Sequence, residues 1–150
     1  MVSIPKLSVF QKGIIAMLID CEGTIHISKR HYKKKNKIYL LAEIVVGNTC
    51  LPLLDKAQRI IGGSLREIKP CRTTRPNHKK MYRLERRDMH ILHALLKSLL
   101  PHLIAKKHQA KLMIEYCHNR LQVGKTWAKA YTDRDFQIYE EMKQLNKRGK

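Results

Sequence analysis

The hydrophobic period changes several times along this chain, and each change marks an element. Residues 9–19 are apolar on nearly every side, interrupted by Gln11 and Lys12, and Ser8 stands where it can cap a helix. A helix apolar all round needs cover on every side, which a small chain supplies poorly by itself. After Gly23 the period becomes two. Ile25 and Ile27 alternate with Thr24, His26, Ser28 and Arg30, the pattern of a half-buried strand. Residues 38–46 repeat it with Leu40, Ala42, Ile44 and Val46 on one face, so a hairpin is expected across the lysine-rich turn 33–37.

Leu53, Leu54, Ala57, Ile60 and Ile61 return to helical spacing until Gly62 and Gly63 stop it. A third strand is expected over 64–69, a loop with Pro70, Thr73, Thr74, Pro76 and Asn77, and a fourth strand over 79–86. Asp88 is placed to cap a helix carrying Ile91, Leu92, Leu95, Leu96 and Leu99, ended by Pro101. Another helical run follows from 103 to about 121, then a connection over 124–132, a short helix over 133–145 and a basic tail at 147–150. The order is helix, two strands, helix, two strands, helices, an α+β arrangement. One domain is expected over 1–150, with a core of about 8–120 and a C-terminal helical extension over about 121–150.

Charge changes this picture from a fold to a surface. The 150 residues include 31 Lys plus Arg against 12 Asp plus Glu, a formal charge of +19, far more than solubility requires. Residues 26–37 hold six of these cations and residues 66–87 hold nine, so 15 of the 31 fall within 34 positions. Two basic surfaces and a polyanionic partner are expected, with binding that weakens steeply as salt rises. A ribosomal-type RNA-binding protein would show the same charge, although it would not need the apolar helix.

Cys21, Cys50, Cys71 and Cys117 have no paired spacing and no companion histidines at zinc-finger distances, so they read as reduced thiols. His90 and His93 lie one helical turn apart without a third ligand in nearby sequence and read as packing or surface histidines. No apolar run approaches the ~20 residues that span a bilayer, and the N-terminus has no signal or transit pattern. The expected location is the compartment of synthesis, a prokaryotic or archaeal cytoplasm or an organelle matrix.

The acids carry the chemistry. Hydrolysing a phosphodiester requires neutralising charge on the attacking and leaving oxygens, and divalent metals held by carboxylates do this. Asp20 and Glu22 end the apolar helix directly before a basic strand, a place where carboxylates could hold such a metal. The bland alternative is that both merely terminate a helix. Two copies of the helix packed side by side would bury both apolar surfaces and bring two Glu22 carboxylates together.

Residues 15–23, Ile-Ala-Met-Leu-Ile-Asp-Cys-Glu-Gly, resemble the signature helix of the LAGLIDADG homing endonucleases. The likeness extends over about 8–120, through Asn48-Thr49, Ile61-Gly62-Gly63 and residues 101–110. Met17 stands where the family usually has glycine, Cys21 replaces another small residue, and Glu22 replaces the more frequent Asp. The resemblance implies an αββαββα fold with a four-stranded antiparallel DNA-binding saddle. It also implies a homodimer that cuts both strands of a long pseudo-palindromic site across the minor groove, encoded within an intron. Mg²⁺, with Mn²⁺ as candidate substitute, would be held by Glu22, Asp20 and the Cys21 backbone carbonyl. Lys106, with Lys107 its rival, matches the basic-pocket lysine, and Asn48 matches a position that orders active-site water.

Along the strands, His26, Ser28, Arg30, Arg66 and Arg83 are expected on one face, where arginines can contact guanines bidentately. Lys33, Lys34, Lys35 and Lys37 in the first turn, and Arg72, Arg75, Lys79 and Lys80 around the second, suit phosphate anchoring. Tyr32 and Tyr39 are candidates for stacking on bases or for cross-strand packing. The alternative function is a maturase that uses the same saddle to bind intron RNA and assist splicing.

Overall fold

The computed structural model describes residues 6–33, 36–69, 79–123 and 130–147. Ser8 opens the first helix, α1 (Val9–Glu22), with a capping box: its Oγ accepts from the Gln11 N–H at 3.2 Å, and the Gln11 side chain accepts from the Ser8 N–H at 2.9 Å. The chain passes from α1 into β1 (Gly23–Tyr32) with no loop. A Cβ at Gly23 would lie 2.8 Å from the Cα and carbonyl oxygen of Ile19, so this abrupt exit requires glycine.

β1 pairs antiparallel with β2 (Lys37–Asn48), from Gly23 opposite Val46 to Tyr32 opposite Lys37. The expected hairpin is formed, and both strands run past their alternating stretches. α2 (Leu51–Ile61) carries Pro52 in its first turn and ends at Gly62 and Gly63, whose φ values are +66° and +108°. A side chain at Gly63 would also meet the Glu85 carbonyl oxygen at 2.5 Å. β3 (Ser64–Ile68) and β4 (Met81–Arg86) complete an antiparallel sheet of order β1-β2-β4-β3.

The remaining elements are α3 (Met89–Leu99), a 3-10 turn (Leu100–His102), α4 (Lys107–Gln122) and α5 (Asp133–Leu145). Asp88 caps α3 as expected, its Oδ1 accepting from the Ile91 N–H at 3.0 Å. α4 starts four residues later than the apolar spacing predicts. Leu103 is buried without continuing a helix, and the amides of Ile104 and Lys106 donate to the Asp20 carboxylate instead of joining a helical ladder.

One sheet face meets the helices. Ile25, Ile27, Leu40, Ala42, Ile44, Val46 and Leu84 are buried there with Ile15 and Ile19 of α1, Leu92 and Leu96 of α3, Met113 and Tyr116 of α4, and Ile138 of α5. The C-terminal region is thus joined to the core. Asn146 Nδ2 donates to the Ile25 carbonyl at 2.9 Å, and a buried Arg120–Asp135 pair at 3.4 Å links α4 to α5. β4 covers β2 only from Ile44 to Asn48. Beyond that, the Leu40 N–H donates to the Tyr131 hydroxyl at 2.9 Å, and the Tyr116 hydroxyl donates to the Leu40 carbonyl at 3.0 Å. Among the described residues no helix is long and apolar enough to cross a membrane.

Candidate nucleic-acid interface and metal-binding acids

The opposite sheet face is polar and basic. Residues paired across antiparallel strands share a face, so the register sets Thr24, His26, Ser28 and Arg30 of β1 with Glu43 and Val45 of β2, Arg83 and Glu85 of β4, and Arg66 of β3. The five expected base readers therefore lie on one surface. Lys33 and Lys37 flank the first turn and Lys79 and Lys80 precede β4, all exposed; Lys80 Nζ lies 3.5 Å from Glu67. Lys34, Lys35, Arg72 and Arg75 lie outside the described residues. Tyr32 and Tyr39 form an edge-on pair, ring centroids 6.4 Å apart, which favours cross-strand packing over stacking on bases.

Two acids that the sequence pattern did not single out organise this surface. Glu43 and Glu85 are only 2% and 5% exposed. Glu43 Oε1 lies 3.0 Å from His26 Nε2, and its Oε2 accepts from Arg87 Nε at 2.9 Å. Glu85 Oε1 accepts from Arg66 Nη2 at 2.7 Å and lies 2.6 Å from Arg83 Nε, a contact without hydrogen-bond alignment; its Oε2 lies 2.7 Å from Arg87 Nη2. The available signal was an acid inside the otherwise apolar β2 and another within a run of arginines.

At the end of α1 the two candidate acids part ways. Glu22 is exposed. Asp20 turns to the segment before α4, its Oδ2 accepting from the Ile104 N–H at 2.7 Å and its Oδ1 from the Lys106 N–H at 2.9 Å. Lys106 Nζ reaches back to donate to the Asp20 carbonyl oxygen. Asp20, expected beside Glu22 at the metal, is thus engaged by a loop 84 residues away and fixes Lys106 against the acidic end of α1. A lysine there also suits the negative end of the helix dipole. Lys107 begins α4 and is exposed.

Asn48 is at the same end of the sheet as Glu22, two residues beyond the Gly23–Val46 pair. Its Oδ1 accepts from the Cys50 N–H at 2.8 Å, a turn that leads into α2. The Cys21 carbonyl lies in the last turn of α1, where carbonyls lack an intrahelical donor. Among the described residues no group of three or more His, Cys, Asp or Glu side chains could enclose a metal.

The outward side of α1 is apolar. Val9 is 74%, Phe10 75% and Met17 55% exposed, and Phe10, Gly13, Met17 and Cys21, with Leu53 of α2, line an open groove of about 550 Å³. The spacing of those α1 residues is one continuous helical stripe. The inward side holds Ile15, Ala16, Leu18 and Ile19, so one chain covers half of the all-round apolar helix.

A capped helix ending in an exposed acid, leading without a loop into a basic antiparallel sheet of order β1-β2-β4-β3, defines an α+β chain with the LAGLIDADG homing-endonuclease fold. The solved structures it matches include named homing endonucleases. I-CvuI, a homing endonuclease in complex with the I-CreI target, aligns with a TM-score of 0.61 at 21% identity, covering 93% of this chain and 97% of that one. I-Vdi141I, an archaeal intron-encoded homing endonuclease complexed with DNA, gives a TM-score of 0.72 at 19% identity, covering 94% and 87%. I-SmaMI, a LAGLIDADG homing endonuclease bound to cleaved DNA, gives 0.65 at 17% identity over 94% of this chain and 44% of that one. No protein-family model and no curated protein sequence matches the chain.

Proposed function

We propose that this chain is a homodimeric, Mg²⁺-dependent, site-specific double-strand DNA endonuclease of the intron-encoded homing type. The observation that carries the reading is the exposed Glu22 carboxylate at the end of α1, beside an uncovered apolar helix face and at the edge of a basic sheet. DNA complexes of similarly folded proteins support it.

The donor set suits Mg²⁺, which keeps several waters and binds through one or two carboxylates together with substrate phosphate oxygens. Glu22 and the Cys21 carbonyl would hold it. When bound, the ion lowers the pKa of its water and neutralises charge developing on the phosphate. Lys106, tied back to the Asp20 carbonyl, supplies a cation beside the same helix end, and Asn48 lies at the same end of the sheet. The Phe10, Met17 and Cys21 stripe of one copy covers that of a second, bringing two Glu22 residues to the dimer axis. Each subunit then reads one half-site with the sheet face bearing His26, Ser28, Arg30, Arg66 and Arg83, while the lysines at the turns hold phosphates.

The test compares the wild type with Glu22→Gln on an intron-junction or randomised duplex library, with and without Mg²⁺. Discrete Mg²⁺-dependent double-strand cuts, lost in Glu22→Gln with DNA binding retained, are expected. Retained cutting would remove Glu22 from its role, and selective binding of intron RNA without DNA cutting would favour the maturase.

A further inference from the structure

A surface evolved only to neutralise phosphates gains nothing from acids, since each carboxylate repels the backbone it approaches. Glu43 and Glu85 nevertheless occupy the middle of the basic sheet face, nearly inaccessible to solvent. Their contacts reach every strand: His26 on β1, Glu43 itself on β2, Arg66 on β3, Arg83 on β4, and Arg87 just beyond β4. A buried carboxylate is costly to desolvate and is tolerated only when its lone pairs are engaged, which three guanidinium groups and the His26 imidazole achieve here.

We propose that Glu43 and Glu85 are positioning residues for sequence recognition. This rests on the DNA-cutting reading above and adds that the half-site is read through His26, held by Glu43, and through Arg66 and Arg83, held by Glu85, with neither glutamate touching the DNA. Each guanidinium has five N–H groups in a fixed fork. Glu85 occupies one nitrogen of Arg66, whose side chain stays 59% exposed and keeps its remaining donors for a base edge. The Arg83 side chain, 33% exposed, is drawn to the same oxygen. Bidentate contact with guanine requires this planar group in one orientation. The same clamps withhold the arginines from passing phosphates, so binding to unrelated DNA loses their contribution.

The experiment measures equilibrium binding to a duplex selected by the wild type, to its single-base variants and to an unrelated duplex, over about 50 to 200 mM salt. The proteins are the wild type, Glu85→Gln, Glu43→Gln and Arg66→Ala, each checked for a cooperative melting transition. Glu85→Gln is expected to bind unrelated duplex as well as or better than the wild type, with a log–log salt slope steeper by about 0.9 for each arginine released to a phosphate. It is also expected to lose roughly tenfold in base discrimination, at the positions that Arg66→Ala relaxes. A folded Glu85→Gln with wild-type discrimination, or one weakened equally on all duplexes, overturns the proposal. If Glu85→Gln does not fold, full discrimination in folded Glu43→Gln and Arg66→Ala overturns it in the same way. A wild type that prefers no duplex would overturn the DNA-reading function itself.

Discussion

Replacing Asp20 with alanine separates two roles a signature-helix acid can have. Its carboxylate accepts N–H bonds from Ile104 at 2.7 Å and Lys106 at 2.9 Å. Hydrogen bonds to charged groups contribute roughly 1.5–3 kcal/mol each, so the pair amounts to about 3–6 kcal/mol. Ile104 is exposed and water can re-satisfy its amide in the variant, which places the expected loss near the lower end, about 3 kcal/mol. That is a large share of the roughly 5–15 kcal/mol that stabilises a domain. Urea unfolding followed by circular dichroism should show a lower midpoint at unchanged slope, the signature of lost stability without altered compactness. Asp20→Asn should fall between, because one amide meets a carbonyl and the other an opposing NH₂. Glu22→Gln, whose carboxylate is exposed, should unfold within about 0.5 kcal/mol of the wild type. Under the proposed Mg²⁺-dependent cleavage, residual cutting by Asp20→Ala should need no more Mg²⁺ than the wild type. A variant as stable as the wild type but demanding more Mg²⁺ would refute this reasoning and make Asp20 a ligand.

Two further outcomes follow from exposure. Met17→Glu alters a side chain 55% exposed in the single chain, so the fold should survive, while a charge within the proposed dimer interface costs at least ~3 kcal/mol, or more than 100-fold in dimer Kd; sedimentation equilibrium reads this, and an unchanged dimer would move the interface elsewhere. Burial pushes the Cys117 thiol up to about 12, so its thiolate, absent at neutral pH, gains nothing useful from raising the pH to about 9. Peptide mapping after iodoacetamide treatment should find the exposed Cys21 and Cys50 modified and Cys117 intact until the chain unfolds; equal labelling of Cys117 in the folded protein would contradict its burial.

The strands were legible because period-two alternation reports directly which residues face the core. Ile25, Ile27, Leu40, Ala42, Ile44 and Val46 are all buried, as that alternation requires. Local chemistry also exposed the helix starts at Ser8 and Asp88 and the stop at Gly62. What could not be read locally depends on distant partners. Nothing near Asp20 in sequence indicates that its oxygens bind amides 84 and 86 residues later, and for the same reason apolar spacing alone places the start of α4 too early. Glu43 and Glu85 occupy positions that alternation assigns to the polar face, where acids are usually solvated. Their burial is created by Arg66, Arg83 and Arg87, which close over them only when four strands are in register.

The two tyrosine hydroxyls on Leu40 have a consequence for how the chain is made. They stand 76 and 91 residues after the backbone they cover, so β2 leaves the ribosome long before its cover exists. At roughly 5–20 residues per second, that interval lasts about 4 to 18 s. During it, half of an inner strand presents bare amides and carbonyls, a ready template for pairing with another chain. Nascent chains stalled before Tyr131 would carry that sticky edge indefinitely. The yield of active protein from a fast, crowded expression host should therefore depend on how quickly the last helices arrive.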